Sequence, residues 1–212
     1  MPEITIICIK HGNKYGPEYV NILASMVNRN ISVPYEFLCY TEQPSGIRPD
    51  IRCLPMLCKY PGWWSKIGLY QERLPGVVTD RVLFLDLDVV ITGSLNEIAW
   101  YPGEFITARD WPEGSPNDKG EFNSSVILLK VGSRSEIWDQ FDPETIKKKY
   151  HHGDQEYVNT LGIDYALFPD KWVKSYKLHK LQDSFPEDTR IVFFHGLPKP
   201  PDCDGWVRDF WQ

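Results

Sequence analysis

Two carboxylates, Asp86 and Asp88, close the apolar segment RVLFLDLDVV. If the strand leading into them stays extended, residues i and i+2 point to one face. Both acids then converge on a single hard divalent cation that takes oxygen ligands. An arbitrary Asp-x-Asp is more often a pair of solvated loop acids. Here Leu85, Leu87, Val89 and Val90 surround the acids, and paired like charges beside a core are costly without a compensating cation. His195 is the candidate third ligand, because it follows the apolar run Ile191–Phe194 and precedes Gly196. Two carboxylates and an imidazole suit Mn²⁺ better than Mg²⁺, which prefers oxygen. Lys199, in the same Pro-rich loop, can set a point charge on a phosphate.

The elements that must position these groups follow from periodicity. Ile4–Ile9 is a continuous apolar run rich in β-branched residues, as expected of a strand buried on both faces. Gly16-Pro17 then opens a helix carrying Val20, Leu23, Met26 and Val27. Tyr35–Tyr40 reads as a second strand, and Ile51–Leu57 as a weaker one that Pro55 confines to an edge. Trp63, Ile67, Tyr70 and Leu74 repeat at helical spacing, predicting a helix over Trp63–Leu74 closed by Pro75-Gly76. Val82–Leu85 is the clearest buried strand. Ser94 with Glu97, and Ser133 with Glu136, have capping-box spacing; the second pair precedes a predicted helix containing Ile137, Trp138 and Phe141. Phe105–Ala108, Val126–Leu129 and Ile191–Phe194 are further strands. This order predicts an α/β fold with a mostly parallel central sheet flanked by helices, and ligands beyond the strands' carboxyl ends.

Composition narrows the function classes. The 212 residues carry 23 Lys+Arg against 29 Asp+Glu, for a formal charge of −6. With no basic run, a nucleic-acid partner is not expected. The longest apolar runs fall far short of the roughly 20 residues of a bilayer span, and MPEITIICIK fails as a signal peptide. Five cysteines form no CxxC pair, so reduced thiols and a cytoplasmic location are expected. Eight Trp and eleven Tyr suit flat apolar surfaces such as sugar rings, although large aromatics are more often core. No repeat or flexible linker interrupts the chain, so one domain over 1–212 is the simplest reading.

LFLDLDVVITGSLNEI, FNSSVILLK, HGDQEYVN and FFHGLPKP occur in the order seen in glycosyltransferase family 8, and the chain resembles that family and its GT-A-fold relatives from the first strand to Pro200. The resemblance implies a Rossmann-like GT-A domain, with residues 1–100 as the nucleotide-binding half and 101–212 as the sugar and acceptor half. It also implies transfer, with retention, from a nucleotide sugar, UDP-linked, to a glycan, lipid-linked or protein acceptor. Asp86, Asp88 and His195 would hold Mn²⁺ (or Mg²⁺) bridging the two phosphates. Lys199 and the amide of Gly196 would hold the diphosphate. Asp110, Asn123, Asp154 and Gln155 would face the transferred sugar, with Asp154, Gln155 and Asp110 as the catalytic candidates. Lys10, Asn13 and Tyr15 would meet the nucleoside, Tyr15 by stacking on the base. Leu87, between the acids, and Lys66, the cation nearest to where the family commonly has an Arg, complete the donor site. The family usually has Gly at Ser125 and often Trp at Pro201.

Two other readings compete. FLDLDVVITGS also resembles the first motif of haloacid-dehalogenase-like, Mg²⁺-dependent phosphatases. That class puts the motif on the first strand and needs a later Gly-Asp-x-x-x-Asp, whereas Gly153-Asp154 is followed by Val158. A non-catalytic sugar- or nucleotide-binding protein on the same scaffold would bind without turnover.

Overall fold

The computed structural model describes residues 1–151 and 153–212, with Lys147 described by its backbone only. Strand β1 (Ile4–Lys10) leads through a loop to α1 (Pro17–Asn30), then β2 (Tyr35–Thr41) and β3 (Arg52–Leu54). A 3₁₀ segment (Gly62–Tyr70) precedes β4 (Arg81–Leu85), β5 (Val89–Ile91) and α2 (Asn96–Ala99). The remainder comprises β6 (Phe105–Arg109), β7 (Phe122–Lys130), α3 (Ser135–Asp139), α4 (Pro143–Lys149), α5 (Asp154–Thr160), β8 (Ala166–Leu167), β9 (Val173–Ser175), β10 (Ile191–Phe193) and α6 (Trp206–Phe210).

A seven-stranded sheet has the order β3-β2-β1-β4-β7-β6-β8. Only β7 runs against its neighbours, so the sheet is mostly parallel, as expected. Strand alternation divides its apolar side chains between two layers. Ile4, Ile6 and Cys8 of β1 and Leu83 and Leu85 of β4 pack with Val20, Leu23 and Val27 of α1. Ile7, Val82 and Phe84 face the opposite layer, built on Ile67, Tyr70, Ile137 and Tyr157. Burial on both faces explains the unbroken apolar runs of β1 and β4. Strand β3 lies at the sheet edge beside Pro55, as its proline predicts.

A second sheet, β5-β10-β9, brings distant segments to the same end of the fold. Strand β5 was not apparent in the sequence, where Val89 and Val90 read as surroundings of the acids. It pairs antiparallel with β10, Phe193 opposite Val89, which carries His195 back alongside the Asp86–Asp88 turn.

Several expectations about helices need correction. Trp63–Leu74 is not an α-helix but a 3₁₀ segment ending at Tyr70. Its buried residues Trp64, Ser65, Ile67, Gly68, Leu69 and Tyr70 are nearly consecutive rather than a stripe, and Gly68 packs so close that a Cβ would stand 2.5 Å from that of Leu57. Neither capping box forms. Ser94 Oγ accepts from Asn96 N at 3.3 Å while Glu97 binds Arg190 at 2.9 Å, and Ser133 Oγ donates to Glu104 O. Both helices are about one turn long, and Phe141 lies beyond the end of α3.

One buried polar cluster fixes the smaller sheet. Asp170 accepts from Lys174 Nζ at 3.0 Å, His179 Nε2 at 3.1 Å and Glu113 N at 3.2 Å. Burial alone would raise the Asp170 carboxyl, but these bonds outweigh it and hold the group well below the usual carboxylate range. His179 Nδ1 accepts from Ser175 N at 3.0 Å, and Ser175 Oγ lies 3.4 Å from His195 Nδ1. Asp170→Asn is therefore expected to cost about 3 kcal/mol at neutral pH, read by urea unfolding. A depressed carboxyl contributes stability above its unfolded value and loses it as pH falls, so the gap to wild type should narrow below about pH 4.

Candidate active site

The carboxyl ends of β1 and β4 and the start of β7 open on one cavity of about 670 Å³. Strand β7 contributes its first residues because it runs antiparallel to β4, with Leu85 opposite Val126 and Asp86 N donating to Ser125 O at 2.9 Å. Asp86, Leu87, Asp88, Asn123, Asp154 and Gln155 line this cavity. So do Asn13, Tyr15, Lys66, His195, Gly196 and Lys199. Two expected residues do not. Lys10, 3% exposed, turns its ammonium to Gly12 O and Gln43 Oε1, each at 3.3 Å, and so ties down the loop after β1. Asp110 stands behind Asn123, accepting from its Nδ2 at 3.1 Å. Asn123 Oδ1 accepts from Ser125 N at 3.0 Å, so both ends of that amide are fixed.

The acids do not share a strand face. Strand β4 ends at Leu85, and Asp86–Asp88 form the turn before β5. Each carboxylate has its own ammonium partner. Asp86 pairs with Lys66 at 2.8 Å, and Lys66 also donates to Ser124 Oγ and Ser124 O at 3.1 and 3.3 Å. Asp88 pairs with Lys199 and accepts from the Tyr15 hydroxyl at 2.7 Å. Tyr15 is thus anchored by its hydroxyl on Asp88, with Tyr19 at a ring distance of 4.8 Å. Burial, and then the Asp88 charge, push its phenol far up.

Burial acts on the acids against their ammonium partners. Burial raises the Asp86 carboxyl to about 6; Lys66 opposes the shift and Asp88 adds to it. Asp154, 3% exposed at the head of α5, is also raised by burial, against Lys66 and a hydrogen bond from Ser124. Its Oδ2 is buried without a hydrogen-bond partner. Three carboxylates line the cavity with three ammonium groups, of which Lys66 and Lys199 pair with acids and Lys14 stands 5.0 Å from the Tyr15 ring centre. Burial lowers His195, with Lys177 next in effect, so the imidazole is neutral at pH 7.

Among the described residues, no group of three or more His, Cys, Asp or Glu side chains gathers closely enough to hold a metal ion. Asp86, Asp88 and His195 line one cavity, and each carboxylate has an ammonium partner there, Lys66 on Asp86 and Lys199 on Asp88. The donor types, two carboxylates and an imidazole, fit a divalent cation. His152, which opens the HGDQEYVN segment, lies outside the described residues.

The cavity also contains residues not singled out in the sequence. His11 and Gly12 line it, and the strand-end rule that marked His195 applies equally to His11, just past β1. Trp63, Ser65 and Ser124 line it as well; in the Gly-Trp-Trp stretch nothing local distinguishes the exposed indole from the buried one.

No known protein-family profile matches the chain. Solved structures do. The galactosyltransferase LgtC, in complex with donor and acceptor sugar analogues, superposes with a TM-score of 0.71 at 16% identity, over 97% of this chain and 93% of that one. The glycosyltransferase GlyE of Streptococcus pneumoniae TIGR4 superposes with a TM-score of 0.71 at 16% identity, over 100% and 60%. The fold is that of the GT-A glycosyltransferases. In sequence, this GT-A chain is 32% identical over 150 residues to the lipopolysaccharide 1,3-galactosyltransferase of Salmonella typhimurium, covering 58% of the chain and 44% of that relative. It is 24% identical over 212 residues to the lipopolysaccharide 1,2-glucosyltransferase of Escherichia coli, covering 86% and 60%. The chain thus spans about half the length of the curated relatives it matches. The phosphatase reading has no such support, and its motif would have to follow β1 rather than β4.

Lys66→Ala should leave Asp86 buried without its ammonium and cost about 3 kcal/mol, while Lys66→Arg should recover most of the loss. Denaturant unfolding of both variants checks this.

Proposed function

We propose that the protein is a metal-dependent glycosyltransferase that moves a hexose from a nucleotide sugar, UDP-linked, to a saccharide acceptor with retention of configuration. One observation carries the reading: on a GT-A fold, a single cavity is lined by Asp86, Asp88, His195, Lys199 and Asp154 together. The relatives named as lipopolysaccharide galactosyl- and glucosyltransferases support a hexose donor and a glycan or lipid-linked acceptor over a protein one. Retention and the uridine base rest on the family resemblance.

In this reading Asp86, Asp88 and His195 hold Mn²⁺ or Mg²⁺. Such a cation supplies Lewis-acid stabilisation of the charge that develops on the departing diphosphate. His195 would offer a ring nitrogen to the cation. Lys199 leaves Asp88 and donates to the diphosphate, with the amide of Gly196 beside it. Asn123, fixed by Asp110 and Ser125 N, donates to or accepts from a sugar hydroxyl. Asp154 and Gln155, which both line the cavity, would face the transferred sugar, the Asp154 carboxylate accepting from its hydroxyls. Asn13 and Tyr15 border the nucleoside, and Lys10 keeps their loop in place. Residues 1–100 act as the nucleotide half and 101–212 as the sugar half, meeting at the diphosphate. Reduced thiols and the absence of any helix long and apolar enough to cross a membrane among the described residues are compatible with a cytoplasmic site of action.

The test is a thermal-shift screen of nucleotides and nucleotide sugars with and without Mn²⁺. Binding at about a hundred times Kd adds about 2.7 kcal/mol, a shift of roughly 5–10 °C for a chain of this size. UDP and UDP-hexoses with Mn²⁺ should give it. Asp88→Ala should remove the metal-dependent part while the protein stays folded; a persisting shift would rule out the proposed ligand set. Asp86 must be ionised to face a cation, so the metal-dependent shift should decline as pH falls through about 6. Sugar release or transfer, followed by NMR, separates an enzyme from a binding protein.

A further inference from the structure

Of the large apolar side chains exposed among the described residues, Met1, Trp63, Val78, Trp100 and Leu197, Trp63 alone lines the candidate active-site cavity. It is 53% exposed. Its neighbour Trp64 is 7% exposed and belongs to the core. The exposed indole is also held in place. Gly62 before it adopts φ +61°. Gly62 N donates to His11 Nδ1 at 3.4 Å and Gly62 O accepts from Ser65 Oγ at 2.7 Å. Beneath the ring lies Gly153, where a Cβ would come within 2.6 Å of the indole Cδ1. Gly153 has φ +87° and ψ −152°, a backbone conformation open essentially to glycine alone. The residue under the ring is therefore required to be glycine on two counts, and the next residue is Asp154.

We infer that Trp63 is the stacking platform of an acceptor subsite that takes the apolar C–H face of a hexopyranose ring. The inference rests on the transferase reading for the word acceptor, but not for the binding of a sugar. A pyranose has one face of C–H groups and a rim of hydroxyls. A locked indole receives the first, and Asp154 and Gln155, on the same cavity wall, receive the second. Exposure assigns the role within the reaction. The transferred sugar must be enclosed away from water, whereas an acceptor is the end of a larger molecule and has to enter from solvent, over the rim where Trp63 stands. A rigid aromatic orders little on binding, so its contact is not offset by lost side-chain freedom.

The probes are methyl β-galactopyranoside and methyl β-glucopyranoside, titrated into ¹⁵N-labelled protein while the indole N–H signals are followed. The signal absent from Trp63→Phe identifies Trp63. It should shift saturably with at least one glycoside. Trp63→Ala should weaken that glycoside roughly three- to tenfold, as expected for one aromatic contact, with Trp63→Phe between the two. The shift in melting temperature caused by UDP with Mn²⁺ should stay within about 1 °C of wild type in both variants, which also shows that they fold. A Trp63 signal that ignores both glycosides overturns the platform, whether or not UDP binds. Equal loss of UDP and glycoside binding in Trp63→Ala overturns the acceptor assignment by placing the ring on the donor side. A responding indole in a protein that no nucleotide stabilises overturns the transferase reading and leaves the sugar platform standing.

Discussion

Buried negative charge is the constraint on which the site depends. Asp86 and Asp88, which follow an apolar strand, and Asp154, at the head of α5, are brought to one cavity, where carboxylates lose hydration and repel one another. Lys66 and Lys199 offset part of that cost, and they come from segments on either side of the acids, the 3₁₀ segment and the loop after β10. The fold around the cavity can be read as the means of delivering those two cations. The 3₁₀ segment buries its backbone against Leu57 so that the Lys66 ammonium reaches Asp86. The β5–β10 pairing returns the chain so that Lys199 reaches Asp88.

The burial of these acids gives the site its chemistry. Burial raises the Asp86 carboxyl to about 6, and one oxygen of Asp154 is buried without a hydrogen-bond donor. Interactions incomplete in the free protein and completed by a ligand favour binding and ordering at that place, at a cost in the stability of the free state. The same economy holds for the surrounding elements. Asp110 accepts from Asn123, and Lys10 donates to Gly12 O and Gln43 in the loops beside Asn13 and Tyr15, so both residues support side chains of the cavity lining without lining it themselves.

Much of the fold was visible in local pattern. The apolar runs of β1 and β4, the stripe of α1 and the edge position of β3 all reflect side-chain direction and proline chemistry, which neighbours in sequence decide. The errors have a common cause. The 3₁₀ segment was read as an α-helix because Trp63, Ile67 and Tyr70 happen to recur at helical intervals, whereas burial there is nearly continuous. The capping boxes at Ser94 and Ser133 were spent elsewhere, as Glu97 found Arg190 and Ser133 found Glu104, partners far away in the chain.

What the sequence determined by itself was the inventory: two acids at the end of a buried strand, an imidazole after another, a lysine in a proline-rich loop, and the order of segments that resembles GT-A enzymes. Those follow from residue type and short-range periodicity. Only the tertiary structure decided how the inventory is used. Antiparallel pairing of Phe193 with Val89 brings His195 and Lys199 to Asp88, the reversed direction of β7 puts Asn123 and Ser124 beside Asp86, and glycine geometry at 153 seats Trp63 on the rim. Each of these depends on contacts between residues tens to a hundred positions apart, which propensity and spacing along the chain do not encode.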